Sequence, residues 1–432
     1  MDAEIKKQKI TVKQIFMDHW PDFREKKWGT IPKEMQASVE EAVIKMLGCG
    51  DPANGFTKYM CTNCGEEKVV AFTCKSRFCS SCGKVYIENW VTKQVETIID
   101  TPHRHTVFTV PEELRKKFYW DRGLIKDLSD KAAEVIEYWY KKQSKTKEYT
   151  VGIIAVVHTF GRDMKFNPHV HALVTEGAMD KFNVWKPVNY IPYEYLRKAW
   201  QKVLLGLIKE KFGKETKMRN LINMLYNRYR NGFYVHAETR MNDARGAAQY
   251  IGRYLARPAI AEYRILSYDG KRVRFWYEDH ETKKIEELEL DVLDFMGRLI
   301  MHIPKKYFKM VRRYGLYRRE RNNQAKKVVS LWNYIRTKNV RKTKSFKPKE
   351  LNWKERMIKE FGENPLECPK CKREMELWEI WHPKYGYIYD ISRDAPEVKD
   401  DEQREGLGLG RSTDTIRRRE TRGVLQLSLQ AV

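Results

Sequence analysis

The chain has 432 residues, enough for two or three domains, and its 83 Lys and Arg against 58 Asp and Glu give a formal charge of +25. Such an excess attracts polyanions through counterion release, so nucleic acid is the first class of partner to consider. The longest apolar run, 151–157, is too short to cross a bilayer, and residues 1–10 lack the apolar stretch of a secretory signal. We therefore expect a cytoplasmic protein with no membrane partner, in which cysteines most often bind metal.

Composition divides the chain into six segments. Alternating β-type runs and helical stretches in the longest of them favour an α+β fold, an antiparallel sheet flanked by helices. The predicted segments are a helical N-terminal region (1–48), a zinc-binding module (49–95), the main α+β domain (101–300), a basic helical segment (301–350), a cysteine-containing C-terminal region (351–389) and a disordered tail (390–432).

Four cysteines in two Cys-x-x-Cys pairs have the spacing of a zinc ribbon, in which two knuckles close one tetrahedral thiolate site. Gly65 and Gly83 follow the second cysteine of each pair, where tight turns bring backbone amides to the sulfurs. Four thiolates leave no open position on the ion, so the predicted zinc is structural. The predicted ligands are Cys61, Cys64, Cys79 and Cys82.

The other four cysteines are not assigned by this spacing. Cys49 and Cys74 are each either a small buried residue or a competitor for a ligand position. Cys368 and Cys371 make only half of a zinc site, with His382 as a nearby residue of the right type. Whether the chain binds a second zinc ion therefore stays open.

A histidine pair lies in VGIIAVVHTFGRDMKFNPHVHALV, residues 151–174, whose two apolar runs flank a turn-forming segment and predict an antiparallel hairpin. His169 and His171 are two residues apart on the second strand, so both side chains point to the same face. Two imidazoles on one face suit a divalent ion that polarises a phosphate oxygen, and His158 across the hairpin is the candidate third ligand. The alternative is a pair of core histidines bonded to backbone.

Ten histidines in a chain of this length produce His-x-His by chance, and His103 and His105 form a second example. This pair precedes the apolar run TVFTV instead of lying inside one, so we expect no buried strand to fix its geometry. The interpretation therefore leaves both residues out of the site.

Residues 242–258 predict one helix, with a capping Asn or Asp at its start and a proline at its end. Tyr250 and Tyr254 are four residues apart, which places both hydroxyls on one face and within reach of one metal ion. Arg253 and Arg257 repeat that spacing on a neighbouring stripe and could clamp phosphates. A tyrosine stripe is also typical of a packing surface.

The segment 304–349 has 17 Lys or Arg against one acidic residue, with aromatic residues between them. This mixture is expected where phosphates are neutralised and bases are stacked, although a solvated pair of basic helices is the alternative. The predicted DNA contacts in this segment are Lys305, Lys306, Arg312, Arg313, Arg318 and Arg319.

The histidine pair and the tyrosine pair explain each other chemically. A tyrosine hydroxyl, with a pKa of about 10, is a weak nucleophile at neutral pH, so it needs a cation on the scissile phosphate and help in losing its proton. Its attack would create a 5′-phosphotyrosine and free a 3′-hydroxyl. Because one phosphoester replaces another, no triphosphate is needed, and no triphosphate-binding motif is found in the sequence.

Five blocks, in order, resemble the insertion-sequence-91 family of rolling-circle transposases, which are relatives of HUH (His-hydrophobic-His) replication initiators and relaxases. The blocks are CTNC…CKSRFCSSCG, HRHTVFTVPEELR, HTFGRDMKFNPHVHALV, the YIGRY helix and HIPKKYFKMVRRYG. The resemblance implies an HUH endonuclease fold in a bacterial or archaeal, nucleoid-associated protein. It also implies cleavage and joining of single-stranded DNA at element ends, a covalent tyrosine intermediate, and Mg²⁺ or Mn²⁺ at the histidines.

By position, His169 and His171 match the HUH pair of this family, and Tyr250 and Tyr254 match its paired nucleophiles. HUH enzymes take the third ligand from different places, so Gln249 competes with His158 for that role.

Two other functions stay open. An HUH relaxase or replication initiator shares the chemistry, and a non-enzymatic zinc-ribbon DNA-binding regulator would use only the ribbon and the basic segment. The regulator leaves the histidine and tyrosine pairs unexplained. A host helicase would be a further partner, and the oligomeric state is open.

Overall fold

The chain divides into two units. The computed structural model describes residues 10–83, 96–143, 148–188, 192–237, 240–241, 246–247, 250, 252, 258–279, 282–337, 354–355, 358 and 364–394. The first unit takes Met1–Leu47 and Lys75–Glu350, and the second takes Gly48–Cys74 and Leu351–Val432. The second unit thus joins part of the predicted zinc-binding module to the C-terminal region, two segments that the sequence presents as separate.

Strands and helices alternate along the described residues. The strands are β1 (Phe56–Met60), β2 (Glu67–Ala71), β3 (His103–Thr109), β4 (Thr150–Phe160), β5 (Phe166–Met179), β6 (Trp185–Pro187), β7 (Val235–His236), β8 (Arg240–Met241), β9 (Ile265–Tyr268), β10 (Arg272–Glu278), β11 (Ile285–Asp291), β12 (Val311–Gly315), β13 (Glu376–His382) and β14 (Gly386–Asp390). The α-helices are α1 (Val12–Lys27), α2 (Lys33–Leu47), α3 (Glu112–Trp120), α4 (Gly123–Lys142), α5 (Tyr193–Phe212), α6 (Thr216–Arg228), α7 (Val292–Ile300), α8 (Arg319–Thr337) and α9 (Ile391–Asp394).

A large antiparallel sheet forms the centre of the first unit. Its strands lie in the order β12, β4, β5, β3 and β7, with β6 paired to β5 and β8 paired to β3. Each of these pairings is antiparallel. The predicted α+β fold, an antiparallel sheet with flanking helices, is confirmed.

The hairpin of β4 and β5 is the longest pairing of this sheet. It is closed by the Gly161 N–H, which donates to the Lys165 carbonyl at 3.0 Å. Its register sets His158 opposite His169 and Val156 opposite His171. Valine and isoleucine dominate β4 because branched side chains suit a strand that is covered on both faces.

Helices α4, α5 and α6 cover one face of this sheet. The strand residues on that face include Ile153, Ala155, Val157, Val170, Ala172 and Val174. Burying a Val or Ile side chain of this kind contributes roughly 1.5–3 kcal/mol.

The opposite face of the sheet carries the other set of alternating residues. Ile154, Val156 and Leu173 pack there with the partly buried Tyr250 and with apolar residues of α8. His158, His169 and His171 fall on this second face by strand alternation, so the histidines point away from the main helical layer.

A smaller antiparallel sheet of β9, β10 and β11 belongs to the same unit. Phe275 of β10 lies 5.9 Å from Phe295 of α7 between ring centroids, and α7 packs against α1. Trp20 and Phe23 of α1 stack at 5.9 Å. The N-terminal helices are therefore part of the first unit's core.

The basic segment is only partly helical. Residues 311–315 form the edge strand β12, which pairs with β4, and 319–337 form α8. The rest of the predicted segment beyond 337, and the predicted tail from 395 onward, lie outside the described residues. Of the helices that are described, none has the length and apolar character needed to span a membrane.

The second unit is built on a four-stranded antiparallel sheet in the order β14, β13, β1, β2. β1 pairs with β2, as a local hairpin, and on its other edge with β13, from near the end of the chain. The centre of this sheet therefore joins two segments that are more than 300 residues apart in sequence.

Candidate active site and zinc ligands

Strand alternation on β5 places His169 and His171 on one face with their rings together. The two Nε2 atoms are 3.0 Å apart, and both side chains are buried. This confirms the shared orientation that their two-residue spacing predicts, and it gives the two imidazoles a common point of convergence.

His158 reaches the same point from the neighbouring strand. Its ring centroid lies 4.7 Å from that of His171 and 5.5 Å from that of His169. One nitrogen from each of the three rings lies within 4.8 Å of the others. The structure therefore brings together the three histidines that the sequence selected as metal ligands.

The protonation of His169 suits ligation. Its Nδ1 lies 2.7 Å from the Asn167 carbonyl oxygen, so Nδ1 carries the proton and Nε2 presents a lone pair. Burial lowers the pKa of His169 to about 4, so the ring is neutral at pH 7. A neutral imidazole is the form that binds a metal ion.

His105, which the sequence analysis left out, lies next to this group. It is buried in β3, its Nε2 lies 2.9 Å from His171 Nδ1, and the two rings are stacked at 5.1 Å. Burial lowers its pKa to about 3. The expectation that no buried strand fixes this histidine pair was wrong, because β3 already begins at His103 and both side chains are buried in it.

Tyr250 completes the group from another element. Its hydroxyl lies 3.2 Å from His105 Nδ1, and the two rings meet edge to face at 4.9 Å. The described neighbours Gly246, Ala247 and Gly252 are helical, as the sequence predicts for this segment. A continuous line of contacts thus runs from the Tyr250 hydroxyl through His105 to His171.

Two proton settings, that is, two choices of which atom carries each proton, satisfy these contacts. In the first, the Tyr250 hydroxyl donates to His105 Nδ1, His105 Nε2–H donates to His171 Nδ1, and His171 Nε2–H donates to His169 Nε2. In the second, both Nε2 atoms of His169 and His171 offer lone pairs to an ion. His171 Nδ1–H then donates to His105 Nε2, and His105 Nδ1–H donates to the Tyr250 oxygen. Because a neutral imidazole carries one N–H proton, the nitrogen that is protonated in His171 determines which nitrogen is protonated in His105.

Other predicted site residues lie outside the described residues. They are Gln249, Arg253, Tyr254 and Arg257. Their roles stay predictions, and His158 is the third-ligand candidate with a known position.

The predicted DNA contacts of the basic segment differ in their surroundings. Lys305 and Lys306 form ion pairs with Glu34 and Glu41 of α2, at 2.9 and 2.8 Å. The Arg312 side chain lies 3.1 Å from Asp130. The remaining three are solvent-exposed on the edge strand and at the start of α8, and they are Arg313, Arg318 and Arg319.

The cysteines are grouped differently from the predicted zinc ribbon. Cys61 and Cys64 lie beside Cys371 and Cys368, with sulfur–sulfur distances of 3.4 and 3.6 Å. The sequence analysis proposed Cys79 and Cys82 as the partners of Cys61 and Cys64; within the second unit, the pairing of β1 with β13 brings the Cys-x-x-Cys motif of the C-terminal region to them. Cys79 and Cys82 are buried in the first unit, and their role as zinc ligands stays a prediction.

Comparisons with known proteins agree with the order of these features. A family model described as "Transposase zinc-binding domain" matches residues 15–110, and one described as "Putative transposase" matches residues 152–325. The transposase for insertion sequence element IS801 of Pseudomonas savastanoi pv. phaseolicola is 34% identical over 291 residues, which are 64% of this chain and 69% of that relative. The chain belongs to the insertion-sequence-91 family of transposases.

A second relative of this transposase is the "Putative transposase y4qJ" of Sinorhizobium fredii (strain NBRC 101917 / NGR234), 22% identical over 80% of this chain and 91% of the relative. No solved structure matches the chain. The transposase has DNA as its partner and carries a domain for structural zinc. The three histidines and Tyr250 fall within the transposase match, whereas His105 falls at the end of the zinc-binding match.

Proposed function

We propose that this transposase nicks and joins single-stranded DNA through a 5′-phosphotyrosine intermediate, in rolling-circle transposition. Tyr250 is the first nucleophile and Tyr254 the second, and His158, His169 and His171 hold a Mg²⁺ or Mn²⁺ ion. The observation that carries this proposal is the line of contacts that joins the Tyr250 hydroxyl to the His171 ring through one further imidazole.

The three imidazoles suit a divalent cation with open positions. They are buried, their ligand nitrogens converge, and the Asn167 carbonyl fixes the orientation of one of them. Such an ion, when bound, polarises the scissile phosphate and neutralises the charge that develops on it. Three protein ligands leave room for a phosphate oxygen beside them.

His105 is the positioning residue between the ligands and the nucleophile. With the Nε2 atoms of His169 and His171 used as ligands, the second proton setting applies, and His105 Nδ1–H donates to the Tyr250 oxygen. A hydrogen bond donated to a phenol oxygen favours the phenolate over the phenol. His105 therefore holds the nucleophile in place and stabilises its reactive form, without itself taking the proton.

The reaction conserves phosphoester bonds. The Tyr250 oxygen forms a bond to the scissile phosphorus, which stays attached to the 5′ oxygen of the downstream strand. The bond from that phosphorus to the 3′ oxygen breaks, so the upstream strand leaves with a 3′-hydroxyl. The phenol proton is released in the same exchange. A 3′-hydroxyl then attacks the phosphotyrosine, which restores the tyrosine and joins the strands.

A cavity in the first unit, next to the start of β5, suits a single strand. It has a volume of about 750 Å³ and is lined by Arg115, Lys116, Tyr119, Trp120 and Phe166 together with residues of α1 and α7. Phe166 begins the strand that carries His169, and the Arg115 charge contributes to lowering the pKa of His169. Basic side chains with aromatic faces are the lining expected for unpaired nucleotides.

Family membership favours the transposase over an HUH relaxase or replication initiator, which would use the same chemistry. A non-enzymatic regulator does not account for three converging imidazoles that are connected through His105 to a tyrosine hydroxyl. The basic residues Arg313, Arg318 and Arg319 extend the DNA surface in this proposal, and a host helicase would supply strand separation.

The test is an adduct assay with the full chain. Single-stranded oligonucleotides that cover the DNA on both sides of its coding sequence are incubated with the protein and Mn²⁺, then resolved in denaturing gels. We expect an adduct that requires the ion and the histidine His169. The Tyr250→Phe/Tyr254→Phe variant should form none, while the matched control Tyr226→Phe, an exposed tyrosine of α6, should form as much as wild type. An adduct of normal yield in the double Phe variant refutes the assignment.

A further inference from the structure

We propose that Cys61, Cys64, Cys368 and Cys371 bind one Zn²⁺ ion that joins the N-terminal and C-terminal segments of the second unit. The family's zinc-binding match ends at residue 110, so it does not include the two C-terminal ligands. This site is independent of the histidine site and of the tyrosine chemistry.

The two Cys-x-x-Cys loops have the same backbone geometry. The Gly65 N–H donates to the Cys61 carbonyl at 2.9 Å, and the Lys372 N–H donates to the Cys368 carbonyl at 3.0 Å. Gly65 and Lys372 occupy the same position after their cysteine pairs, and both have left-handed φ angles, of 71° and 62°. Paired turns of this kind are the two knuckles of a tetrathiolate zinc site.

Hydrogen bonds also close the base of each loop. The Cys61 N–H donates to the Glu66 carbonyl at 2.9 Å, and the Cys368 N–H donates to the Arg373 carbonyl at 2.8 Å. The Cys371 N–H points to Cys368 Sγ at 3.5 Å, a contact that stabilises a thiolate. The lysine at 372, in a conformation that favours glycine, shows that the loop shape is maintained at some cost in backbone energy.

The sulfur positions fit one ion. All four lie within 4.8 Å of one another, and the cross-loop distances are 3.4 and 3.6 Å. A tetrahedral site with Zn–S bonds of about 2.3 Å has sulfurs about 3.8 Å apart. Disulfide-bonded sulfurs would lie about 2.05 Å apart, so these cysteines are free thiols.

The surroundings indicate a structural site. Cys61 and Cys368 are buried, and Tyr59 and Met375 pack against them. Four thiolates leave no position for substrate, and an apolar cover excludes water.

The charge of this unit also favours a structural role over DNA binding. Residues 48–74 and 364–394 contain seven Lys or Arg against nine Asp or Glu, in a chain whose total charge is +25. Four thiolates with one Zn²⁺ add further negative charge. The zinc therefore serves to hold β1 against β13 instead of attracting phosphate.

The test measures the zinc content per chain of purified full-length protein by elemental mass spectrometry. We expect the variants Cys61→Ser/Cys64→Ser and Cys368→Ser/Cys371→Ser each to lose one zinc per chain relative to wild type. The quadruple variant should lose the same single zinc, because both pairs belong to one site. The control His382→Ala should lose none, although this histidine is close to Cys371 in sequence.

Two results would overturn the proposal: full zinc content in Cys368→Ser/Cys371→Ser, or loss of two zinc ions in the quadruple variant. A second measurement, on the wild-type protein, tests the proposal even if these variants do not fold. The four cysteines should be protected from N-ethylmaleimide and become reactive together when a chelator is added. Alkylation of Cys368 and Cys371 with the zinc still bound would contradict a shared site.

Discussion

His105 shows how much a single residue's position depends on where a strand begins. His169, His171 and Tyr250 could be predicted, because alternation on a strand and spacing on a helix fix their directions locally. His105 could not be separated from chance by the same rule, since its apolar run starts after it. The missed signal is that His103, His105 and Val107 alternate in HRHTVFT and so share one face of a strand.

At this scale we expect His105→Ala to slow adduct formation roughly ten- to a hundredfold, the value of a hydrogen bond to a charged oxygen. His105→Asn keeps a side-chain N–H near the Nδ1 position and should recover part of the rate. The measurement is the rate of adduct formation from pH 6 to 10.

The shape of this pH–rate profile distinguishes a hydrogen bond from His105 to the phenolate from a packing role of His105. Loss of a hydrogen bond to the phenolate moves the rising part of the profile to higher pH in His105→Ala. An equal loss of rate at every pH, with no recovery in His105→Asn, would indicate packing alone.

At the scale of elements, local pattern predicted the β4–β5 hairpin but not the strand β12. The segment VRRYG has the charge of a solvated surface, and only its pairing with 152–156 makes it a strand. The proximity of Cys368 and Cys371 to Cys61 and Cys64 could not be predicted for the same reason. Cys-x-x-Cys spacing predicts a knuckle, whereas the choice of its partner depends on a strand pairing more than 300 residues away.

The start of α8 should contribute to DNA binding. We expect Arg318→Ala/Arg319→Ala to weaken binding to single-stranded DNA and to reduce the slope of log affinity against log salt by about 1.4, or about 0.7 for each phosphate that the protein no longer neutralises. The control is Lys202→Ala/Lys209→Ala on α5, which packs on the sheet face opposite the histidines.

Titration of fluorescent oligonucleotides at several salt concentrations gives both slopes. An unchanged slope in the arginine variant, or an equal decrease in the lysine control, would remove α8 from the DNA surface.

At the scale of the whole molecule, buried neutral histidines couple folding to pH. Burial lowers the pKa of His103 to about 4 and that of His302 to about 3, from an ordinary value near 6.5. The unfolded chain binds these protons at a higher pH than the folded chain. The contribution of these histidines to the free energy of unfolding is therefore complete above pH 6.5 and decreases as the pH falls towards 4.

A pKa of about 4 for His103 corresponds to roughly 3 kcal/mol of the free energy of unfolding over this window. Urea unfolding at a series of pH values, with a chelator present, should show the decrease, and His103→Asn should make it shallower. A free energy of unfolding that stays constant between pH 6.5 and 4 would contradict the burial of these rings as neutral groups.

In the proposed reaction Tyr250 forms the covalent bond to DNA, and mass spectrometry of the purified adduct after nuclease and trypsin digestion identifies the bonded residue. Cleavage after Arg245 and Arg253 places Tyr250 in peptide 246–253 and Tyr254 in peptide 254–264, because Pro258 protects the bond after Arg257. We predict a nucleotide on peptide 246–253, with a further adduct on 254–264 if the second tyrosine acts. A nucleotide found on peptide 254–264 alone, or on neither peptide, in protein that is active in strand transfer, would contradict the assignment of Tyr250.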